Sequence, residues 1–233
     1  QWSSSAASDV YKRQPQALQK NSTIGILSPS YWLDREILTI TSKYFTDLGY
    51  RLKFGKSNEL KWGPIAGLPE QRADDIHEMF ANSDIDAIFC ARGGYGANRV
   101  LPLLDYNLIK ENPKIFIGYS DITAMLTSIT QKTSLVTFHG PMLTSYKDSW
   151  VEYNYSLMQR VLSGEKFIKI YSPDGLETKI LKHGIAHGPL WGGNMCLLIN
   201  RLGTNESLNT DGVILFLEDI DEYLYSCLLY TSP

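Results

Sequence analysis

The sequence predicts an α/β fold, a doubly wound parallel sheet followed by the opening of a smaller α/β domain. Three observations carry this. Short apolar runs alternate with helix-periodic stretches from residue 23 to about 138. The runs read as strands buried between helices, as in a parallel sheet covered on both faces. The connections are short, which suits right-handed crossovers in a domain of about 130 residues.

TIGILS (23–28) is the first buried strand. Ile37, Ile40, Tyr44, Phe45 and Leu48 recur at helical spacing over 34–48, and Gly49 stands where a helix C-cap would. YRLKF (50–54) is the second strand. Pro69 opens a helix to Asn82 with Ala73, Ile76 and Phe80 on one face. DAIFC (86–90) is the third strand; it enters ARGGYG and then a helical stretch near 98–104. KIFIG (114–118) is the fourth strand, 121–132 the next helix, and LVTF (135–138) the fifth strand. The rhythm then changes. A helix over 150–162 ends at Gly164, FIKIY (167–171) reads as a strand, and SPDGLETK is polar. HGPLWGGN leads into a helix over 195–202 ended by Gly203, and GVILFLEDI (212–220) is an apolar strand ending in acids.

The expected organisation is an N-terminal domain over 15–146, a linker or crossover over 147–186, and the start of a truncated second domain over 187–226. The terminal strings QWSSSAASDVYKRQ and CLLYTSP join their neighbours abruptly and resemble translated sequencing-adaptor read-through. Residues 1–14 and 227–233 are therefore expected to be non-native.

A net charge of −3 argues against a nucleic-acid footprint, and no apolar run approaches the roughly 18 residues of a membrane span. Cys90, Cys196 and Cys227 have no CxxC spacing, so neither a zinc site nor a disulfide framework is expected, and a reducing, cytoplasmic compartment fits.

Ser120 follows a strand through Gly118, a strand–turn–helix arrangement that exposes a hydroxyl, although the final Gly of G-x-S-x-G is absent. The alternative is an ordinary helix-capping serine. The N–H of Asp121, at a helix start, suits a developing oxyanion. The glycines of ARGGYG let backbone approach a ligand, or simply make a tight turn; Arg92 suits a carboxylate or a structural ion pair. Glu218 directly follows an apolar strand, with Asp219, Asp221 and Glu222 beside it, as a site carboxylate or as part of a solvated acidic loop. His139 could approach Ser120, and His77 is expected to be exposed on its helix. His183 and His187 are four apart, but Gly184, Gly188 and Pro189 argue against a zinc helix there.

Taken together, TIGILSPS, ARGGYGANRVLPLLD, FIGYSDITAML, TFHGPM, GPLWGGN and GVILFLEDI resemble the serine LD-carboxypeptidase (muramoyltetrapeptide carboxypeptidase) family, in its order and over most of 20–220. The resemblance implies a flavodoxin- or Rossmann-like N-terminal domain, a smaller C-terminal domain and an active site between them. It implies a Ser-Glu-His triad with Ser120 as nucleophile and Glu218 as carboxylate. It implies an oxyanion hole from the N–H groups near Gly94 and Asp121, and substrate contacts at Arg92, Gly93, Trp191 and Asn194. No cofactor or metal is implied. The family's histidine lies beyond this chain's end, so the chain itself is expected to be inactive or nearly so. The expected substrate is a muropeptide losing its terminal D-alanine in cell-wall recycling, and a homodimer is expected. A close variant is an immunity peptidase that cleaves a peptide–nucleotide antibiotic. A different class of reading is a non-catalytic flavodoxin-like module that binds an anion at ARGGYG.

Overall fold

The computed structural model describes residues 12–148, 152–173 and 175–220. In chain order its elements are β1 (Thr23–Leu27), α1 (Arg35–Asp47), β2 (Arg51–Phe54), α2 (Pro69–Ala81), β3 (Ala87–Cys90), α3 (Tyr106–Glu111), β4 (Ile115–Gly118), α4 (Thr123–Thr133), β5 (Phe138–His139), α5 (Ser145–Asp148), α6 (Glu152–Leu162), β6 (Leu190–Asn194), α7 (Met195–Ile199) and β7 (Ile214–Glu218). The first five strands form one parallel sheet in the order β2-β1-β3-β4-β5. The chain leaves β1 for β2 on one side and returns to β3 on the other. Ligand crevices open at such a switch, beyond the carboxyl ends of the strands.

Successive side chains of a strand face opposite ways, so each central strand feeds two cores. Ile24, Ile26, Ala87, Phe89, Ile115 and Ile117 pack with Leu38 and Phe45 of α1 and with Tyr155, Met158 and Leu162 of α6. Leu27, Ile88, Cys90 and Phe116 pack on the other face with Ala73, Ile76, Met79 and Phe80 of α2, Ile109 of α3 and the apolar side of α4. The doubly wound sheet is thus present.

Several local expectations change. The buried stripe of α1 is rotated: Ile40 and Leu48 are exposed, while Leu38, Thr41, Ser42 and Phe45 are buried. Thr41 and Ser42 donate their hydroxyls to Ile37 O and Leu38 O, so they face the core without unpaired polar atoms. The stretch 98–104 is two 3₁₀ turns, with Pro102 lacking the N–H a longer helix needs. Helix α3, unforeseen, starts where Asp105 accepts from the N–H groups of Asn107 and Leu108. His77 is half-buried rather than exposed, and its Nε2 accepts the Asp105 N–H at 2.8 Å, joining α2 to α3. Only Phe138 and His139 of the fifth strand region join β4, while Leu135 bridges Arg13. FIKIY is not a strand; Phe167 and Ile170 are exposed and no partner strand lies alongside among the described residues. The 150–162 helix is described from Glu152, and Trp150 lies outside the described residues. Asp221, Glu222 and Cys227 also lie outside them.

In the second sheet, LWGGN is itself a strand, β6, running parallel to β7 from Leu190↔Ile214 to Asn194↔Glu218. It is held against α4. Gly193 has φ +141, and a β-carbon there would lie 2.6 Å from the Thr123 side chain; the adjacent Asn194 N–H donates to Thr123 Oγ1 at 3.0 Å. Only glycine permits that approach. The buried Arg201 guanidinium donates to Ala124 O (3.1 Å), Ser128 Oγ (2.7 Å) and Thr127 Oγ1. Glu206, 3.6 Å from Arg201, accepts from Ser128 Oγ and pairs with Lys132. Among the described residues no helix is long and apolar enough to cross a membrane.

Candidate active site

Ser120 stands in the first position of a 3₁₀ turn that runs directly into α4. Its φ is +59, a left-handed conformation that costs a non-glycine residue about 1–2 kcal/mol. An ordinary capping serine has extended backbone; here Tyr119 holds that conformation, and no side-chain cap hydrogen bond is made. The turn is therefore an elbow. Gly118 allows its tightness, since a β-carbon there would come within 2.8 Å of Ile122, which stands where a G-x-S-x-G motif has its last glycine.

The glycine loop after β3 lies against the elbow. A β-carbon on Gly93 would sit 3.2 Å from Ser120 Oγ, and one on Gly94, whose φ is +127, would enter the Tyr31 ring. Backbone N–H groups can thus come close to whatever Ser120 attacks. The N–H of Asp121 belongs to the first turn, where N–H groups have no intrahelical acceptor. The Asp121 carboxylate points inward: Oδ2 accepts Ser30 Oγ–H at 2.6 Å and the Ala97 N–H at 2.9 Å. Burial raises its pKa, opposed by those hydrogen bonds and by the Arg72 guanidinium.

Glu218, at the end of β7, arrives from the second sheet. Its carboxyl reaches toward the Ser120 backbone N–H and the Asn194 amide, which lower its pKa, but burial and neighbouring Asp219 outweigh them and raise it. Oε1 is buried with no partner in ordinary hydrogen-bond geometry among the described residues. Asp219 has a structural task, accepting from Asn194 Nδ2 (3.2 Å) and the Cys196 N–H (3.1 Å) at the start of α7. Asn194 is buried, and its Oδ1 caps α7 through the Leu197 N–H.

The other expected residues make contacts of their own. Arg92 reaches the Tyr31 ring and Trp32 O. Trp191, half-buried on β6, lies under Lys12 Nζ at 4.2 Å. His139 keeps an exposed edge, yet its ring is crowded by Phe216 (4.8 Å) and Tyr119 (6.1 Å), and burial pushes its pKa down to about 4. It is neutral at pH 7 and makes no hydrogen bond to Ser120. His183 and His187 lie in an exposed segment, and among the described residues no His, Cys, Asp and Glu cluster suits a metal. Arg72 escaped the sequence reading. It is fully buried, and Nη1 donates to Pro29 O (2.6 Å) and Gly96 O (3.0 Å). Its only sequence signal was an arginine on the apolar side of α2, beside Ala73 and Ile76.

The LD-carboxypeptidase N-terminal domain matches residues 24–140 and the LD-carboxypeptidase C-terminal domain matches 187–230. The chain belongs to the LD-carboxypeptidase family. It is 38% identical to the "Probable murein peptide carboxypeptidase" of Bacillus subtilis (strain 168) over 91% of this chain and 66% of that protein. It is 33% identical to the "Microcin C7 self-immunity protein MccF" of Escherichia coli over 73% of this chain and 58% of that protein. Among solved structures it is similar to an MccF-like protein from Bacillus anthracis str. Ames, with TM-score 0.80 and 33% identity over 89% of this chain and 70% of that one. This LD-carboxypeptidase chain thus spans about two thirds of the length of the murein peptide relative.

Proposed function

We propose that the protein is a serine carboxypeptidase that hydrolyses the L,D-peptide bond of a cell-wall tetrapeptide and releases its terminal D-alanine. Glu218 carries the reading: a half-buried carboxyl set at the strained Ser120 elbow, with one oxygen unpartnered among the described residues. That oxygen suits a histidine N–H. In the reaction Ser120 Oγ attacks the carbonyl carbon while the base takes its proton. The N–H groups of Gly94 and Asp121 stabilise the oxyanion. The base then gives its proton to the departing amine of D-alanine, and water hydrolyses the ester. Among the described residues none of the chain's four histidines hydrogen-bonds Ser120 or Glu218, so this reading assigns the base's role to none of them. The relatives' names support peptide substrates, and family membership supports the acyl-transfer chemistry. The likeness to MccF and to an MccF-like structure favours, as a second reading, an immunity peptidase in which Trp191 stacks on a nucleobase. Homodimer formation and cytoplasmic location belong to the same proposal.

Loss of the base in a serine peptidase costs about six orders of magnitude in rate, so the chain alone should be nearly silent. Exogenous imidazole can take the base's place. The test measures D-alanine release from the tetrapeptide against imidazole concentration, for the chain and for Ser120→Ala. Release that rises with imidazole and vanishes in Ser120→Ala is expected. Release that ignores the Ser120→Ala change, or that is already full without imidazole, overturns the assignment.

A further inference from the structure

Arg72 and Asp121 are both buried charges, and they hold the same two loops at adjacent positions. Arg72 Nη1 bonds Pro29 O after β1 and Gly96 O after β3. Asp121 Oδ2 bonds Ser30 after β1 and Ala97 after β3. The two side chains attract each other, each opposing the other's burial. Arg72 comes from α2 and Asp121 directly follows the nucleophile, so four separate segments meet here. Two further nitrogens of Arg72, Nε and Nη2, are buried without partners among the described residues. A stabilising core contact alone would hardly retain so poorly satisfied a cation, because burying an unpaired polar group costs about 1–3 kcal/mol. The geometry points to a two-armed clamp in which Arg72 is a positioning residue that sets the Gly93–Gly94 backbone against Ser120. One arm is anchored in the elbow itself through Asp121. The glycine loop carries two of the four bonds, at Gly96 O and the Ala97 N–H, and the second ties it directly to the elbow, so a shift of the loop relative to Ser120 strains the Ala97–Asp121 bond. The catalytic meaning of the clamp rests on the carboxypeptidase reading; the clamp itself does not.

The test is backbone amide hydrogen exchange on this chain, comparing wild type, Arg72→Met and Ser30→Ala. Ser30→Ala removes one arm's hydrogen bond to a carboxylate and leaves the buried cation in place, so it remains informative where Arg72→Met fails to fold. A hydrogen bond to a charged group is worth roughly tenfold or more in a local opening equilibrium. Exchange in 28–31 and 93–98 should therefore quicken about tenfold or more, with α1 within about twofold of wild type. Uniform acceleration across the sheet, or none in these loops, overturns the clamp. In the imidazole-assisted reaction the same variants should lower the rate at saturating peptide about tenfold, with KM within about twofold, because a small misplacement of reacting groups acts on the chemical step. A raised KM with an unchanged saturating rate overturns the positioning role. Silence of every protein, wild type included, would refute the carboxypeptidase reading and leave the exchange result to decide the clamp.

Discussion

Replacing Ser120 by glycine and, separately, by alanine separates the conformation of the elbow from its chemistry. Both changes delete the hydroxyl. Only alanine keeps a β-carbon in the left-handed region at φ +59, where it costs about 1–2 kcal/mol. Glycine escapes that cost but gains chain entropy in the unfolded state, which offsets about 0.5–1 kcal/mol. The Ser120→Gly protein should therefore be more stable than Ser120→Ala by about 0.5–1 kcal/mol, or about 1–4 °C in Tm for a chain of this size. Urea unfolding with an unchanged slope reads the difference directly. Neither variant should release D-alanine under imidazole. The strain is retained because it presents the hydroxyl, a local cost that recurs at functional sites. Equal stabilities, or a less stable glycine variant, would refute the idea that the turn is strained.

Arg201→Met removes a buried cation that holds α7 to α4 through Ala124, Thr127 and Ser128 and leaves Glu206 beside it; breaking such a buried arrangement costs about 3–5 kcal/mol. Limited proteolysis should then cut within 187–220 ahead of the first sheet, and an unchanged cleavage pattern would contradict this. For Glu218, burial raises the folded pKa above the ordinary 4.5, so the native state binds the proton more tightly than the unfolded chain. Stability should accordingly fall as pH rises from about 4.5 through the folded pKa. Glu218→Gln should remove that part of the slope and be at least as stable as wild type at pH 7, as measured by urea midpoints across pH; an unaltered slope would sink the account.

Much of the fold was legible because strand burial and helix capping are local. β1, β3 and β4 are buried throughout, Asp34 caps α1 and Gly49 ends it at φ +88. The misreadings came where a partner decides. FIKIY has strand composition but no neighbouring strand among the described residues, and LWGGN, expected only to lead into a helix, pairs with β7. Thr41 and Ser42 look like surface residues, but their hydroxyls are satisfied within α1.

By itself the sequence determined a doubly wound sheet, the strand-to-helix turn at Ser120, the glycine loop after β3 and an acid at the end of the last strand. These follow from periodicity and from residue types suited to local backbone. Tertiary structure alone decided that Glu218 meets the elbow, that Asp219 serves α7 instead, that His139 packs against Phe216, and that Arg72 grips Gly96 from beneath. Those outcomes depend on pairs 23 to about 100 residues apart, whose approach is set by sheet order and by the glycine contact of β6 with α4. A single chain's local pattern carries no record of such distances.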